Sequence, residues 1–364
     1  MKAKQFKPKR IIVIATRQIG DVLLVTPLLH SLRNAYPNAT IELLGYHKKC
    51  AMLTGNNDIN TVIEVVENPT LQQSWQLFKK IFRRYDLAIT TLHGDKPHIY
   101  AWFASRYRIG VVEDNSKKTF LKRLSCQQWV LLDNLNTHTI LQNLKLAECL
   151  EIPCLAEVQL PKLKTKLGIP FPHYAIIHPL PMWHYKRWTT TGWKEVIEHL
   201  LAKDIKVLIS GSPETQEKEL CEQLASYFPE DKVQSLAGKI QIAELGNLLK
   251  TAECYIGPDT SITHMSAASG CPTIAIYGPS NVVKWGPWPA GYTKTENPFI
   301  QKKLPWQQQN NVIIIQAEDF PCLPCYEEGC DRHKKSHSKC MQELGAKNVL
   351  RAIDKLLEGK APQS

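Results

Sequence analysis

The segment 252–279 places polar side chains where a strand turns into a helix, a position suited to holding an anion. Its sequence predicts a short strand, a Gly-Pro turn, and a helix that opens at Asp259 and Thr260 with His264 one turn later. The first turn of a helix has backbone N–H groups without partners, and the helix dipole favours negative charge there. The segment therefore predicts a phosphate site, with an ordinary N-cap by Asp259 or Thr260 as the alternative interpretation.

Three further polar loops follow predicted strands. Asp21 comes after the first strand of the chain, Lys186 lies in the loop after a later strand, and Glu214 opens the helix after another. In parallel α/β sheets, ligands bind at the carboxyl ends of the strands. We therefore take these three residues as candidates for the same kind of site as Asp259. For each of them the alternative is purely local: a helix cap at Asp21, a solvated lysine at Lys186, and an exposed helix start at Glu214.

Strands alternate with helices along the chain, which is typical of parallel sheets. The Pro- and Lys-rich stretch 161–172 predicts a linker, so we expect Rossmann-like domains over 1–165 and 166–340, with a C-terminal helix and tail over 341–364 that packs back. The polar stretch 117–123 predicts a loop. The predicted strands are 10–15, 40–44, 86–90, 174–178, 206–210, 254–256 and 273–277, and the predicted helices are 22–35, 71–84, 192–202, 214–227, 242–251 and 342–357.

The positive charge of the chain is concentrated in its first half. Residues 1–168 hold 24 Lys and Arg against 13 Asp and Glu, whereas residues 169–364 hold 21 of each. A basic half-molecule indicates a polyanionic partner, such as a nucleic acid, an anionic membrane face or a phosphorylated glycolipid. The longest apolar runs are too short for a membrane-spanning helix or a signal-peptide core, so we expect a cytoplasmic protein.

Four of the 11 cysteines cluster near the C-terminus as Cys322-x2-Cys325-x4-Cys330-x9-Cys340. Without an export signal, a disulfide framework is not expected. A CxxC pair supplies two thiolates at chelating distance, which makes a structural zinc site one interpretation. The irregular later spacings favour the other, reduced thiols in a compact loop.

Four motifs in order across both halves resemble those of the family 9 glycosyltransferases, the ADP-heptose:lipopolysaccharide heptosyltransferases. The resemblance covers about residues 10–355, including the Cys-rich segment 322–340. The matching motifs are Arg17-x-x-Gly20-Asp21-Val22-x4-Pro27, Lys186-Arg187-Trp188, Gly257-x-Asp259-Thr260-x3-His264-x2-Ala267-Ala268 and Tyr277-Gly278-Pro279. This resemblance implies an α/β protein of the GT-B fold, with two Rossmann-like domains facing a cleft.

The resemblance also implies an inverting transfer of heptose from ADP-heptose to the inner core of lipopolysaccharide. Asp21 matches the residue that takes the proton from the acceptor hydroxyl, and positioned bases of this kind contribute about 10²–10⁴-fold. Lys186 would stabilise the leaving diphosphate together with the helix N-terminus. No Asp-x-Asp motif is present to hold a metal, so we expect no cofactor. Asp259, Thr260, Ser261 and His264 would line the donor site, and Glu214, or else Glu217, would hold the ribose.

On the resemblance, the N-terminal half would bind an anionic lipid-linked acceptor in peripheral contact with the inner membrane. Charge alone suggests Arg106, Arg108, Lys122 and Arg123 as its contacts. A family member using another nucleotide sugar stays open, because Leu180–Met182 replaces a small-residue stretch usual in the family. In another class, a basic nucleic-acid-binding protein with a cysteine metal site would explain the charge but not the paired Rossmann-like halves. An NAD-dependent dehydrogenase is disfavoured because no Gly-x-Gly-x-x-Gly follows the first strand.

Overall fold

The chain divides into two compact units. The structure, a computed structural model, describes residues 6–114, 116–163 and 171–358, without the side chains of 116–118. One unit comprises the described residues up to Pro161 together with 293–296, and the other comprises the remainder. Much of the expected linker, residues 164–170, lies outside the described residues.

The first unit is a parallel sheet of six strands with helices on both faces. Its strands are β1 (Arg10–Ile14), β2 (Thr40–Tyr46), β3 (Thr61–Val65), β4 (Tyr85–Thr90), β5 (Ser105–Val112) and β6 (Gln128–Leu131). Its helices are α1 (Ile19–Leu23), α2 (Thr26–Ala35), α3 (Leu71–Ile81), α4 (Asp95–Ala104), α5 (Ser116–Ser125) and α6 (Thr139–Glu148). The strand order is β3-β2-β1-β4-β5-β6 with every pair parallel, the order of a Rossmann sheet.

The central strand β1 is an apolar β-branched run, Ile-Ile-Val-Ile, and these four residues are fully buried. Alternate residues of β1 point to opposite faces of the sheet. Ile11 and Val13 pack among the residues of α2 and α6, and Ile12 and Ile14 pack among those of α3 and α4. Burial on both faces explains why a strand of a parallel sheet is apolar throughout.

Pro27 allows two interpretations of the helix expected over 22–35: it starts there with Thr26 as its cap, or it kinks there. The structure has two helices, and α2 begins at Thr26, with Val25 as its N-cap and Pro27 at its second position. A proline is accepted in the first turn of a helix, where its missing N–H is not needed. The stretch 117–123, predicted as a loop, lies in α5. It holds neither Gly nor Pro, so its polarity marks an exposed helix rather than a break.

The second unit repeats the architecture with a sheet of seven strands. Its strands are β7 (Tyr174–Ile177), β8 (Lys206–Ile209), β9 (Val233–Ser235), β10 (Tyr255–Pro258), β11 (Thr273–Tyr277), β12 (Trp306–Gln309) and β13 (Val312–Gln316). Its helices are α7 (Thr190–Leu201), α8 (Thr215–Ala225), α9 (Ile242–Leu249), α10 (Ser261–Ser269), α11 (Val282–Trp285), α12 (Lys339–Gln342) and α13 (Lys347–Glu358). The order is β12-β13-β11-β10-β7-β8-β9, and only β12 runs antiparallel to its neighbour.

The C-terminal helix packs on the second unit's own sheet. Val349, Ala352 and Ile353 of α13 are fully buried in the same core as strands β7, β8 and β11. The helix expected over 342–357 is α13, which begins five residues later than predicted because Gly345 separates it from the short helix α12. No helix in the described ranges has the length and apolar character needed to cross a bilayer.

Candidate functional site

Each sheet has one point where the strand order reverses, and the candidate residues follow the strands at these two points. In the first unit the reversal lies between β1 and β4, and Asp21 lies in α1 directly after β1. In the second it lies between β7 and β10, followed by the loops of Lys186 and Asp259. Loops diverge at such a point and leave a crevice for ligands.

A buried ion pair joins the two loops at the switch point of the second unit. Lys186 Nζ lies 2.5 Å from Asp259 Oδ2, and their side chains are only 18% and 8% exposed. The other oxygen, Oδ1, accepts a hydrogen bond from the Tyr277 hydroxyl at 3.3 Å and lies 3.9 Å from His264 Nε2. The solvated-lysine interpretation of Lys186 is therefore wrong, because its ammonium is held against a buried carboxylate.

Burial and neighbouring charges shift the pKa values of Asp259, His264 and Tyr277. Burial disfavours an ionised Asp259, but Lys186, His264 and the hydrogen bonds to the carboxylate together hold its pKa below the usual 3.8. Burial, reinforced by the Lys186 charge, lowers the pKa of His264 to about 4 against the opposing effect of Asp259. Burial and the Asp259 charge raise the pKa of Tyr277 far above its ordinary value. At neutral pH the Asp259 carboxyl is thus ionised, whereas the His264 imidazole and the Tyr277 phenol are neutral.

The helix α10 begins beside this pair. The Thr260 hydroxyl is its N-cap and accepts a hydrogen bond from the Thr263 N–H at 3.4 Å. The cap interpretation is correct for Thr260 and wrong for Asp259, whose carboxylate is held by Lys186 instead. Ser261 is the first residue of the helix. His264 is 5% exposed, and its buried Nδ1 has no hydrogen-bond partner among the described residues.

The two glutamates after β8 differ in their surroundings. Glu214 is exposed at the N-cap position of α8. Glu217 accepts hydrogen bonds from both the N–H and the hydroxyl of Ser212, at 2.9 and 2.5 Å. Its charge acts on buried His178, whose pKa is lowered mainly by burial. Glu217 is thus the carboxylate that is fixed next to the switch point.

In the first unit, Asp21 lies within the five-residue helix α1, where it pairs with Arg17 one turn earlier. The distance from Arg17 Nη1 to Asp21 Oδ1 is 3.4 Å, and the Asp21 side chain is 19% exposed. The carboxylate is therefore reachable from solvent and oriented by a cation. In the preceding loop, the buried side-chain oxygen of Gln18 finds no hydrogen-bond partner within the part of the chain that the structure describes.

The four basic acceptor candidates separate into two pairs. Arg106 and Arg108 lie in the first half of β5, towards the sheet edge opposite Asp21, and Arg108 is buried with its guanidinium donating to the carbonyls of Ser105 and Ser125. Both are therefore wrong as acceptor contacts. Both lie towards the edge of the sheet opposite Asp21, and the guanidinium of Arg108 is already hydrogen-bonded within the protein.

Lys122 and Arg123 of α5 reach the edge to which Asp21 belongs. Lys122 Nζ lies 2.8 Å from Asp95 and donates to the His93 carbonyl, both in the segment after β4. Arg123 pairs at 3.4 Å with Asp114, in the loop after β5.

A further pair at this edge was missed from the sequence. His93 Nδ1 lies 2.9 Å from Glu113, joining the loops after β4 and β5. Neither residue belongs to a recognisable motif. Their proximity could be predicted only by recognising β4 and β5 as neighbouring parallel strands, whose following loops lie at the same edge of the sheet.

The cysteine cluster does not form a metal centre in the described residues, where no group of three or more His, Cys, Asp or Glu side chains is arranged to hold an ion. All four thiols are free; Cys340 is buried while Cys322 and Cys330 are exposed. Burial, with the neighbouring thiols, raises the pKa of Cys340 to about 12.

Comparison with known proteins decides the family. Residues 74–335 match the sequence profile of glycosyltransferase family 9 (heptosyltransferase). The chain belongs to glycosyltransferase family 9. A curated relative, lipopolysaccharide heptosyltransferase 3 of Escherichia coli K12, is 26% identical to this family 9 chain over 96% of its length and 98% of the relative's.

Solved structures agree on the fold of this family 9 glycosyltransferase. A family 9 glycosyl transferase from Veillonella parvula superposes with a TM-score of 0.76 at 19% identity, covering 97% of this chain and 98% of the other. An Escherichia coli heptosyltransferase solved with ADP superposes with a TM-score of 0.70 at 17% identity, covering 95% of this chain and 99% of the other. The fold is GT-B, as the sequence predicted.

Proposed function

We propose that this protein transfers heptose, with inversion, from ADP-heptose to the inner core of lipopolysaccharide. The observation that carries the proposal is the buried Lys186–Asp259 pair beside the N-terminus of α10, at the switch point of a Rossmann-like unit. Family membership and the full-length similarity to a lipopolysaccharide heptosyltransferase support the same reaction.

The catalytic base in this proposal is Asp21. Attack of an acceptor hydroxyl on the anomeric carbon releases a proton, which the carboxylate accepts as the new glycosidic bond forms and the bond to the diphosphate breaks. Arg17 orients the carboxylate, and 19% exposure leaves it accessible to the hydroxyl. A base held in this way contributes about 10²–10⁴-fold to the rate.

Stabilisation of the leaving diphosphate falls to the second unit. Lys186 supplies a positive charge, and the first N–H groups of α10 at Ser261 supply hydrogen bonds to phosphate oxygens. Asp259 positions Lys186 and accepts hydrogen bonds from the donor sugar. His264, neutral and with an unpartnered Nδ1, offers one more polar contact to the diphosphate or sugar.

For the nucleoside, we propose Glu217 as the ribose contact in place of Glu214, because only the former is fixed by the loop after β8. For the acceptor, we propose Lys122 and Arg123 as contacts to anionic groups of the lipid-linked core. The enzyme would then work in the cytoplasm, in peripheral contact with the inner membrane. The expected domains are a lipid-acceptor domain over 1–165, a donor domain over 166–340 and a C-terminal helix and tail.

Calorimetric binding of ADP, UDP, GDP and ADP-heptose, with EDTA present, tests the donor site. We expect selective binding of ADP and ADP-heptose that weakens in Lys186→Ala and persists in Asp21→Asn. Transfer by Asp21→Asn should fall about 10²–10⁴-fold. Selective binding of UDP or GDP would replace the donor but keep the reaction class, and no nucleotide binding at all would refute the proposal.

A further inference from the structure

One face of the first unit exposes apolar side chains to an extent that the reaction site does not explain. Of the 17 large hydrophobic residues that are exposed in the described ranges, 12 lie in this unit. Eight of them lie on α3 or its C-cap, on α4 and on α5: Leu71, Trp75, Phe82, Ile99, Trp102, Phe120, Leu121 and Leu124. Apolar side chains exposed together on a protein surface mark an interaction site. We call this cluster the aromatic face.

These three helices share one side of the sheet. They form the connections β3–β4, β4–β5 and β5–β6, which all run in the same direction across the strand order, and right-handed crossovers place such connections on the same side. α3 packs beside α4, and α4 beside α5. A groove of about 410 Å³ runs between α3 and α4. Its lining includes Pro69, Leu77, Phe78, Ile99, Tyr100 and Phe103.

The helix α3 touches its own sheet with little of its surface. Ile81 is its one buried residue, while Leu71 is 91% exposed and Trp75 57% exposed. An isolated helix this short is marginal in water, and proteins stabilise such helices mainly by packing an apolar face. The exposed apolar side chains of α3 would therefore be stabilised by a binding partner on the side that faces away from the sheet.

The charge around these side chains is positive. The segment 71–84 carries Lys79, Lys80, Arg83 and Arg84 and no acidic residue, and Lys96 of α4 adds a fifth cation. Within the described part of the chain, none of these five forms an ion pair with a carboxylate. Two of the five lie over aromatic rings: Lys79 Nζ is 5.3 Å from the Trp75 ring centroid, and the Arg83 guanidinium is 5.6 Å from that of Trp102.

We infer that the aromatic face docks this protein on an anionic phospholipid bilayer. Trp and Phe beside Lys and Arg on an amphipathic helix is the composition of a helix that lies in a membrane interface. Cations whose charge no carboxylate of the described residues neutralises match the negative surface of such a membrane, where each is worth about fivefold in affinity. The inference deepens the proposed function, since docking would hold the enzyme where a lipid-linked acceptor lies, but it rests on contacts that transfer does not need.

Vesicle co-sedimentation of the full chain tests the inference. We expect wild type to bind vesicles of phosphatidylethanolamine and phosphatidylglycerol, and to bind phosphatidylcholine vesicles far more weakly. Trp75→Ser with Trp102→Ser should weaken binding more than tenfold, and Lys79→Ser with Lys80→Ser about twentyfold. Matched controls on the second unit, Tyr227→Ser with Ile300→Ser and Lys232→Ser with Lys239→Ser, should bind as wild type does. The control positions are exposed.

Transfer to a deacylated, water-soluble acceptor separates this inference from the proposed function. All four double variants should transfer to it at the wild-type rate, which also shows that they fold. Failure of wild type in that assay would refute the proposed function and leave vesicle binding as an independent result.

Two results would overturn the docking inference: wild type that ignores anionic vesicles, or face variants that bind as well as the controls do. A wild-type dimer that becomes a monomer in Trp75→Ser with Trp102→Ser, without any change in vesicle binding, would assign the face to a second copy instead. If the tryptophan variant fails to fold, the lysine variant decides the matter, because Lys79 and Lys80 are exposed.

Discussion

At the scale of single residues, the Lys186–Asp259 pair dominates the energetics of the donor site. Removing one partner of a buried pair leaves an uncompensated charge, which costs about 3–5 kcal/mol. We expect Lys186→Met to lower the free energy of unfolding by about that amount, and the double variant with Asp259→Asn to lose less than Lys186→Met alone. Urea unfolding measures both.

The Lys203–Asp354 pair is the matched control for that experiment. It joins the same residue types in the same unit at 2.8 Å, but both side chains are more than a third exposed. Exposed pairs contribute at most about 1 kcal/mol. If Lys203→Met destabilised as much as Lys186→Met, burial would not be what gives the donor-site pair its strength.

His264 makes the stability of the protein depend on pH. Burial is the main cause that lowers its pKa from 6.5 to about 4. Between these two pH values the histidine is protonated in the unfolded chain but neutral in the folded protein. Stability therefore falls as the pH drops from about 6.5 towards 4, by about 2 kcal/mol at pH 5. The pKa of Asp259 is lowered below 3.8, so its contribution is still present in this window.

Between pH 7 and pH 5, the free energy of unfolding of His264→Gln should fall by about 2 kcal/mol less than that of wild type. Urea unfolding at both pH values measures the difference. A variant of a histidine outside the site, His173→Gln, is the control, because that side chain is 71% exposed. Parallel pH profiles for wild type and His264→Gln would show that the imidazole already takes up its proton in the folded state.

At the scale of elements, replacing Gly257 in β10 or Gly270 after α10 by alanine should have different effects on stability and ADP binding. Gly270 ends α10 with φ +86°, and a Cβ there would meet only Ala290 at 3.9 Å. Gly270→Ala should therefore cost about 1 kcal/mol, from backbone strain, and leave ADP binding intact. At Gly257 a Cβ would overlap the Tyr255 side chain, whose hydroxyl is bonded to Thr263 beneath the start of α10.

Gly257→Ala should cost about 2 kcal/mol and also weaken ADP binding, since the displaced ring moves the N-terminus of the helix. Thermal unfolding and calorimetry of both variants make the comparison. Equal ADP affinity in the two would mean that β10 tolerates the shift without moving the donor site.

The elements also show how far the sequence could predict this structure. Apolar periodicity located most of the elements that the sequence predicts. β11, which lies between Pro272 and Gly278, matches its predicted bounds. The stretch 117–123 of α5 predicts a loop because it is polar and basic, but polarity also fits an exposed helix. The pairing of Lys186 with Asp259 could not be predicted, since it depends on which strands are neighbours, and β7 and β10 lie far apart in sequence.

At the scale of the whole molecule, charge and chemistry are divided between the two units. The first unit holds most of the excess of basic residues, Asp21 and the aromatic face, whereas the second holds the Lys186–Asp259 pair. Each unit has its own sheet and its own buried core. Ligands that bind one unit should therefore stabilise that unit selectively.

Hydrogen exchange with and without ADP tests this division. At a hundred times its Kd, a ligand adds about 2.7 kcal/mol to the stability of the unit that binds it, which slows exchange about hundredfold. We expect this slowing for amides of β7, β10 and α10 that exchange through unfolding of the second unit, and almost none for β1, β2 and β4. In Lys186→Ala the slowing should shrink as affinity falls. Equal protection of both sheets by ADP would instead show that the two units unfold as one, or that the nucleotide binds outside the switch point of the second.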